Sequence, residues 1–233
     1  MYVNPSLEYK QISEWLAAEV NKPTTPKKFV RKLSKHLNST QHPVRIKLIA
    51  NNTDSLDPGQ FSFGGEYDPD LDERDRKQFI IEFITTLGKD TPWLLTQEDV
   101  HELSLELTEL IVHEYEHQRQ YRKRRYRLHN NRYSSDHEDY VLRREQEYFG
   151  DPDEIDAYAM NIAARFYLLR YVLNTTSKYT CYDLKRYVRV FGRRHNVVKL
   201  LINKINENIR YFKDNDNGKN HRRACKRPRV RRL

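Results

Sequence analysis

The sequence predicts an α+β fold, with a small sheet early in the chain packed on one long helix and a helical C-terminal part. Three observations carry that reading. Stretches near residues 44, 61 and 78 have strand patterns, a stretch starting at Thr96 is apolar on almost every helical side, and apolar residues beyond Asp151 recur at helical spacing.

Composition bounds the organisation. A chain of 233 residues suits one sizeable domain or at most two small ones. The reading divides it into N-terminal helices (1–40), a core (41–175), a C-terminal helical cap (176–214) and a basic tail (215–233). No run approaches the roughly 20 apolar residues of a membrane span. The first ten residues lack the apolar core of a signal peptide, so a cytoplasmic location is expected. The two cysteines, Cys181 and Cys225, form no Cys-x-x-Cys pair and fit a reducing compartment. Any metal must therefore be held by histidine and carboxylate.

The elements follow in order. Leu7, Ile12, Trp15, Leu16 and Val20 have the spacing of an amphipathic helix. Asn21-Lys-Pro-Thr-Thr-Pro ends it, and Pro26 suits the first turn of a second helix through Phe29, Val30, Leu33 and Leu37. Val44-Arg-Ile-Lys-Leu-Ile-Ala alternates like a half-buried strand. Phe61-Ser-Phe-Gly-Gly-Glu-Tyr reads as a second strand, its paired glycines marking a bulge or a close backbone approach. Asp68 to Arg76 reads as a charged turn, and Gln78-Phe-Ile-Ile-Glu-Phe-Ile-Thr as a third strand, making a mixed or antiparallel sheet. Thr96, followed by Glu98 and Asp99, is a good start for the long helix, which runs to about Arg124. Helices through Leu184, Val188 and Phe191, then Val197 to Tyr211, close the fold.

Charge is uneven. The formal net charge is +9, but Lys219 to Leu233 holds eight Lys/Arg and no acid, so the rest is near neutral. Arg222, Arg223, Lys226, Arg227, Arg229, Arg231 and Arg232 are candidate contacts for nucleic acid or another anionic partner; a solubilising extension is the other reading. A second basic run, Arg119 to Arg127, interleaves with Tyr121, Tyr126 and Tyr133. It suits single-stranded nucleic acid, or simply the negative end of a helix dipole.

Chemistry concentrates in His113-Glu114-Tyr115-Glu116-His117 on the long helix. The i, i+4 histidines share one face and can hold one tetrahedral ion. Glu114 is rotated from that face yet near enough to reach a water at an open coordination position. On a buried helix such groups need partners or a metal. Downstream, Asp151 and Pro152 start a helix that places Glu154 off its apolar seam, in the direction of the histidines. Asp153 and Asp156 stand beside it as other possible ligands.

His-Glu-x-x-His on a helix is the metalloprotease signature, and these residues resemble the active-site helix of zincin metallopeptidases. The Pro-x-Glu-Ile-x-Ala-x-Ala pattern, 37 residues after His117, resembles the glutamate helix of gluzincin-type peptidases, most of all compact forms associated with bacteriophages and other viruses. The resemblance covers roughly Phe61 to Leu173. It implies Zn²⁺ held by His113, His117 and Glu154, Glu114 as general base, and a protein or peptide substrate in host cytoplasm or virion. Phe61 to Tyr67 would be the edge strand above the metal, with Gly64 and Gly65 admitting a substrate backbone. One departure stands out. Many gluzincins place an aspartate four residues after the ligand glutamate, and this chain has Tyr158, so support for a ligand histidine must come from elsewhere, Asp156 or Asp153 being nearest. No position of the resemblance supplies an oxyanion stabiliser; Tyr148, Tyr158 and His195 are candidates, with a packing or surface role as the other reading of each. A His₂Glu set also accepts manganese, iron or cobalt. Two further classes stay open: a DNA-associated protease similar to SprT-like enzymes, and a non-enzymatic virion or structural protein that keeps the fold.

Overall fold

Helix starts follow the capping chemistry. A computed structural model describes residues 3–40, 42–52, 56, 60–74, 76–128, 132–175 and 181–216. α1 (Pro5–Ala17) begins at Asn4, whose side chain accepts from the backbone N–H groups of Ser6 and Leu7. The same device of a capping side chain followed by proline starts α2 (Pro26–Ser39) at Thr25, α3 (Pro69–Glu73) at Asp68 and α6 (Pro152–Tyr167) at Asp151. α4 (Gln97–Lys123) opens with a reciprocal capping box between Thr96 and Asp99. α5 (Tyr140–Phe149) follows Asp139, α7 (Tyr182–Phe191) follows Cys181, and α8 (Asn196–Asp216) ends the described chain. A π turn at Leu168–Val172 continues α6.

The sheet is mixed. β3 (Phe79–Thr85) lies in the middle, parallel to β1 (Val44–Ile49) and antiparallel to β2 (Phe61–Tyr67). Phe79, Ile81 and Phe83 alternate inward along β3 and are buried. The period of two sends them to one face, where they meet Phe29 and Tyr115 in a run of tilted ring contacts. β2 pairs in unbroken register from Phe61↔Thr85 to Tyr67↔Phe79, so the paired glycines make no bulge.

Two further expectations change. Residues 68–76 are not all turn, because Asp68 and Pro69 start α3. α5 was not foreseen, since Phe149 alone is fully buried and Tyr140 and Val141 are exposed, leaving no helical stripe to detect.

One main hydrophobic core runs through the described residues, from Val3 to Phe212. The N-terminal helices, the sheet and the C-terminal helices therefore share it. α8 lies along α6, α6 along α4, and α4 under β2. The ends of this arrangement are clasped: Asn4 Nδ2 and Ser6 Oγ donate to the Asp216 carboxylate at 2.9 and 2.6 Å, and the Tyr167 hydroxyl donates to it as well. No described helix is long and apolar enough to cross a membrane. Residues 217–233, and with them every basic tail residue named above, lie outside the described residues.

A buried carboxylate ties β2, α3 and α4 together. Asp72, 4% exposed, accepts from the Tyr67 hydroxyl at 2.7 Å, Gln118 Nε2 at 3.1 Å, the Tyr126 hydroxyl at 2.9 Å and Arg122 Nε at 2.8 Å. Burial alone would push its carboxyl up, but these donors, Arg122 foremost, hold it below the usual carboxylate value. Asp72→Ala strands buried donors and should cost about 2–4 kcal/mol at pH 7. Because the folded value is depressed, the contribution is full above the unfolded value of about 3.9 and falls away below it. Urea denaturation should show the deficit of the variant shrinking between pH 7 and pH 3; a constant deficit would remove the charge from this account.

Candidate metal centre

α4 carries His113 and His117 one turn apart, and α6 starts beside them so that Glu154, in its first turn, faces both. His117 Nε2 lies 3.1 Å from His113 Nε2 and 3.5 Å from Glu154 Oε1, and His113 Nε2 lies 3.9 Å from Glu154 Oε2. A tetrahedral ion with bonds of about 2.1 Å separates its donors by about 3.4 Å, so these spacings bracket what such an ion needs. Glu154 Oε2, the oxygen nearer His113, is also buried without a hydrogen-bond donor. The three side chains fit a divalent cation.

Electrostatics points the same way. Burial, then the neighbouring His117, holds the His113 imidazole well below its ordinary value, although the Ala157 backbone carbonyl works against this. Burial also lowers His117, with Gln120 opposing. Both rings are therefore neutral at pH 7, the form a metal takes. Burial lifts Glu154 to about 7, against a Tyr148 hydroxyl that favours its ionised form. Glu114 rises to about 8 through burial first and the nearby Glu154 and Glu66 second. Like-charged carboxylates out of water resist ionisation, and a divalent ion reverses that balance.

The histidine support comes from a residue the sequence reading did not name. Gln120 Oε1 accepts from His117 Nδ1–H at 3.0 Å, and Gln120 Nε2 donates to the Asp153 backbone carbonyl at 2.9 Å. The amide is thus oriented, and it directs the His117 Nε2 lone pair toward the other ligands. A glutamine three residues after a helical histidine was a legible signal, since i and i+3 are neighbours. Asp153 and Asp156 are not alternative ligands: the Asp153 carboxylate is bidentate with Arg124 at 2.6 and 2.7 Å, and Asp156 pairs with Lys204. Tyr158 stands edge-on to His113, ring centroids 4.8 Å apart. His195 stacks on Phe191 and accepts from Val197 N–H at the start of α8, so it drops out as an oxyanion stabiliser. Of the basic run at the end of α4, Arg119, Arg122 and Arg124 are paired with Glu116, Asp72 and Asp153.

A cleft of about 570 Å³ opens beside Glu114 and His113, between β2 on one side and α4, α6 and the start of α7 on the other. β2 is an edge strand. Gly64 and Gly65 line the cleft but play different parts. A Cβ on Gly65 would fall 2.3 Å from Leu110 Cδ1 and 2.9 Å from Glu114 Oε1; one on Gly64 would come no closer than 3.7 Å to Glu82. The close approach is therefore first that of the strand to its own helix. No family model, curated protein or solved structure matches this chain.

Gly65→Ala should cost about 1–3 kcal/mol by overpacking, while Gly64→Ala should stay within about 0.5 kcal/mol. Equal losses in chemical denaturation would refute this division of roles.

Proposed function

We propose that the protein is a zinc-dependent endopeptidase of zincin type, with His113, His117 and Glu154 as the metal ligands and Glu114 as the general base. The observation that carries this reading is the convergence of the two α4 imidazoles and the unpartnered Glu154 oxygen at metal-ligand spacing, with a buried Glu114 beside them on an open cleft. When bound, zinc supplies Lewis acidity to a scissile carbonyl and acidifies water.

The chain's own residues account for the rest. Glu114 removes the proton from the attacking water and passes it to the leaving amine, a transfer suited to a carboxyl whose burial brings its affinity for protons near neutral. β2 is an edge strand along the cleft; its Phe63 and Tyr67 N–H groups donate to Glu106 and Glu114, and an extended peptide would pair with the backbone groups that remain. The Tyr148 hydroxyl, lining the cleft, donates toward Glu154 and so favours the ionised carboxylate that a metal takes.

Elemental mass spectrometry on the purified protein should find about one zinc per chain, absent from His113→Ala and Glu154→Ala. Glu114→Gln should retain the metal and lose hydrolysis by at least about a hundredfold; loss of metal together with activity would overturn the assignment of roles. Gln120→Ala should weaken zinc affinity by about 10–100-fold in a competition titration against a chelator.

A further inference from the structure

We propose that the cleft beside Glu114 is a pocket for a basic side chain, and that the substrates are peptides carrying lysine or arginine next to the bond that is cut. The inference rests on the hydrolase reading above and deepens it.

The pocket is acidic, and buried acceptors without a donor gather in it. Glu102, Glu106, Glu109, Glu114 and Asp183 line it, with only Arg165 and Arg186 of opposite sign. Arg165 is held by Glu102 at 2.7 Å and Glu109 at 3.1 Å. Arg186 is turned to Glu145 at 3.4 Å and lies 4.5 Å over the Phe149 ring. Among the described residues no cation forms a salt bridge with Glu106 or Asp183, and Arg165 acts on both only from a longer distance. Glu106 Oε2 is buried without a donor. So is Asn161 Oδ1, on a residue only 9% exposed, whose amide nitrogen is turned to Asp183 at 3.5 Å. With its nitrogen so engaged, Asn161 presents an acceptor to the cleft.

A space walled by acceptors is completed by a group that only donates, and lysine ammonium and arginine guanidinium are the two side chains of that kind. An apolar side chain would cover these oxygens and leave them unpaired, and an acidic one would meet like charge. Burial lifts Glu106 to about 7 and Glu109 to about 8, so an entering cation would also restore their ionised forms. The reach is right: Glu109 lies about 7.5 Å along the helix axis from Glu114, a distance a long side chain spans from a backbone held at the general base.

The test uses four fluorescent octapeptides, identical except for arginine, lysine, norleucine or glutamate at one central position. Anisotropy with the zinc-loaded Glu114→Gln protein, which does not consume them, should show the arginine and lysine peptides binding about tenfold tighter than norleucine. Adding Glu106→Gln should remove most of that preference while circular dichroism stays unchanged. Asn161→Leu offers a second variant if Glu106→Gln perturbs folding. Wild-type cleavage of a mixed peptide library should map to bonds beside lysine or arginine. Norleucine binding as tightly as arginine, or cleavage beside apolar residues, would overturn the pocket and leave the peptidase reading intact. A retained preference for basic peptides without any hydrolysis by the wild type would sink the peptidase reading and keep the pocket.

Discussion

Desolvation of helix α4 is the constraint to which the surrounding elements answer. The helix runs through the interior with His113, Glu114, Glu116, Gln118 and Gln120 all buried. Unpaired, such groups would destabilise the fold by several kcal/mol each. α3 brings Asp72 to Gln118 and Arg122. α6 brings the Asp153 carbonyl to Gln120 and Arg165 to Glu109. Glu116 pairs with Arg119 of its own helix. Among the described residues compensation remains incomplete at Glu106 and Glu109 in the cleft and at the His113–His117–Glu154 set, and it is the latter that fits a cation.

Much of this was legible because the determining signals are local. Capping residues followed by proline, period-two strands and the i, i+4 histidines are read within a few residues of the chain. What escaped depended on contacts far apart in sequence. Asp72 looks like one more acid in a charged turn until Arg122, fifty positions later, is placed against it. Glu106 and Glu109 carry no local signal until the fold sets Asn161 and Asp183 in the same cleft. α5 packs mainly through one residue, and no periodic stripe announces it. The paired glycines signalled a close approach correctly, but the partner is Leu110 of the molecule itself.

The sheet and the cleft are consequences of the same packing. Because Gly65 has no side chain, β2 settles directly on α4 and lays its outer edge along the line from Glu114 toward Glu106. A bulkier residue would lift the strand and open a gap under it. The acidic wall and the strand edge are therefore held in fixed relation by the Gly65–Leu110 contact together with the backbone N–H groups of Phe63 and Tyr67, which donate to Glu106 and Glu114.

The clasp of Asp216 onto Asn4 and Ser6 has a topological consequence. With the start of α1 and the end of α8 within hydrogen-bond distance of each other, the described chain is nearly a closed ring. A short linker joining these two points would span almost no distance, and the chain could be cut anew at an exposed loop without separating α4 from α6. The order in which the elements are synthesised is then free to change while their arrangement stays the same.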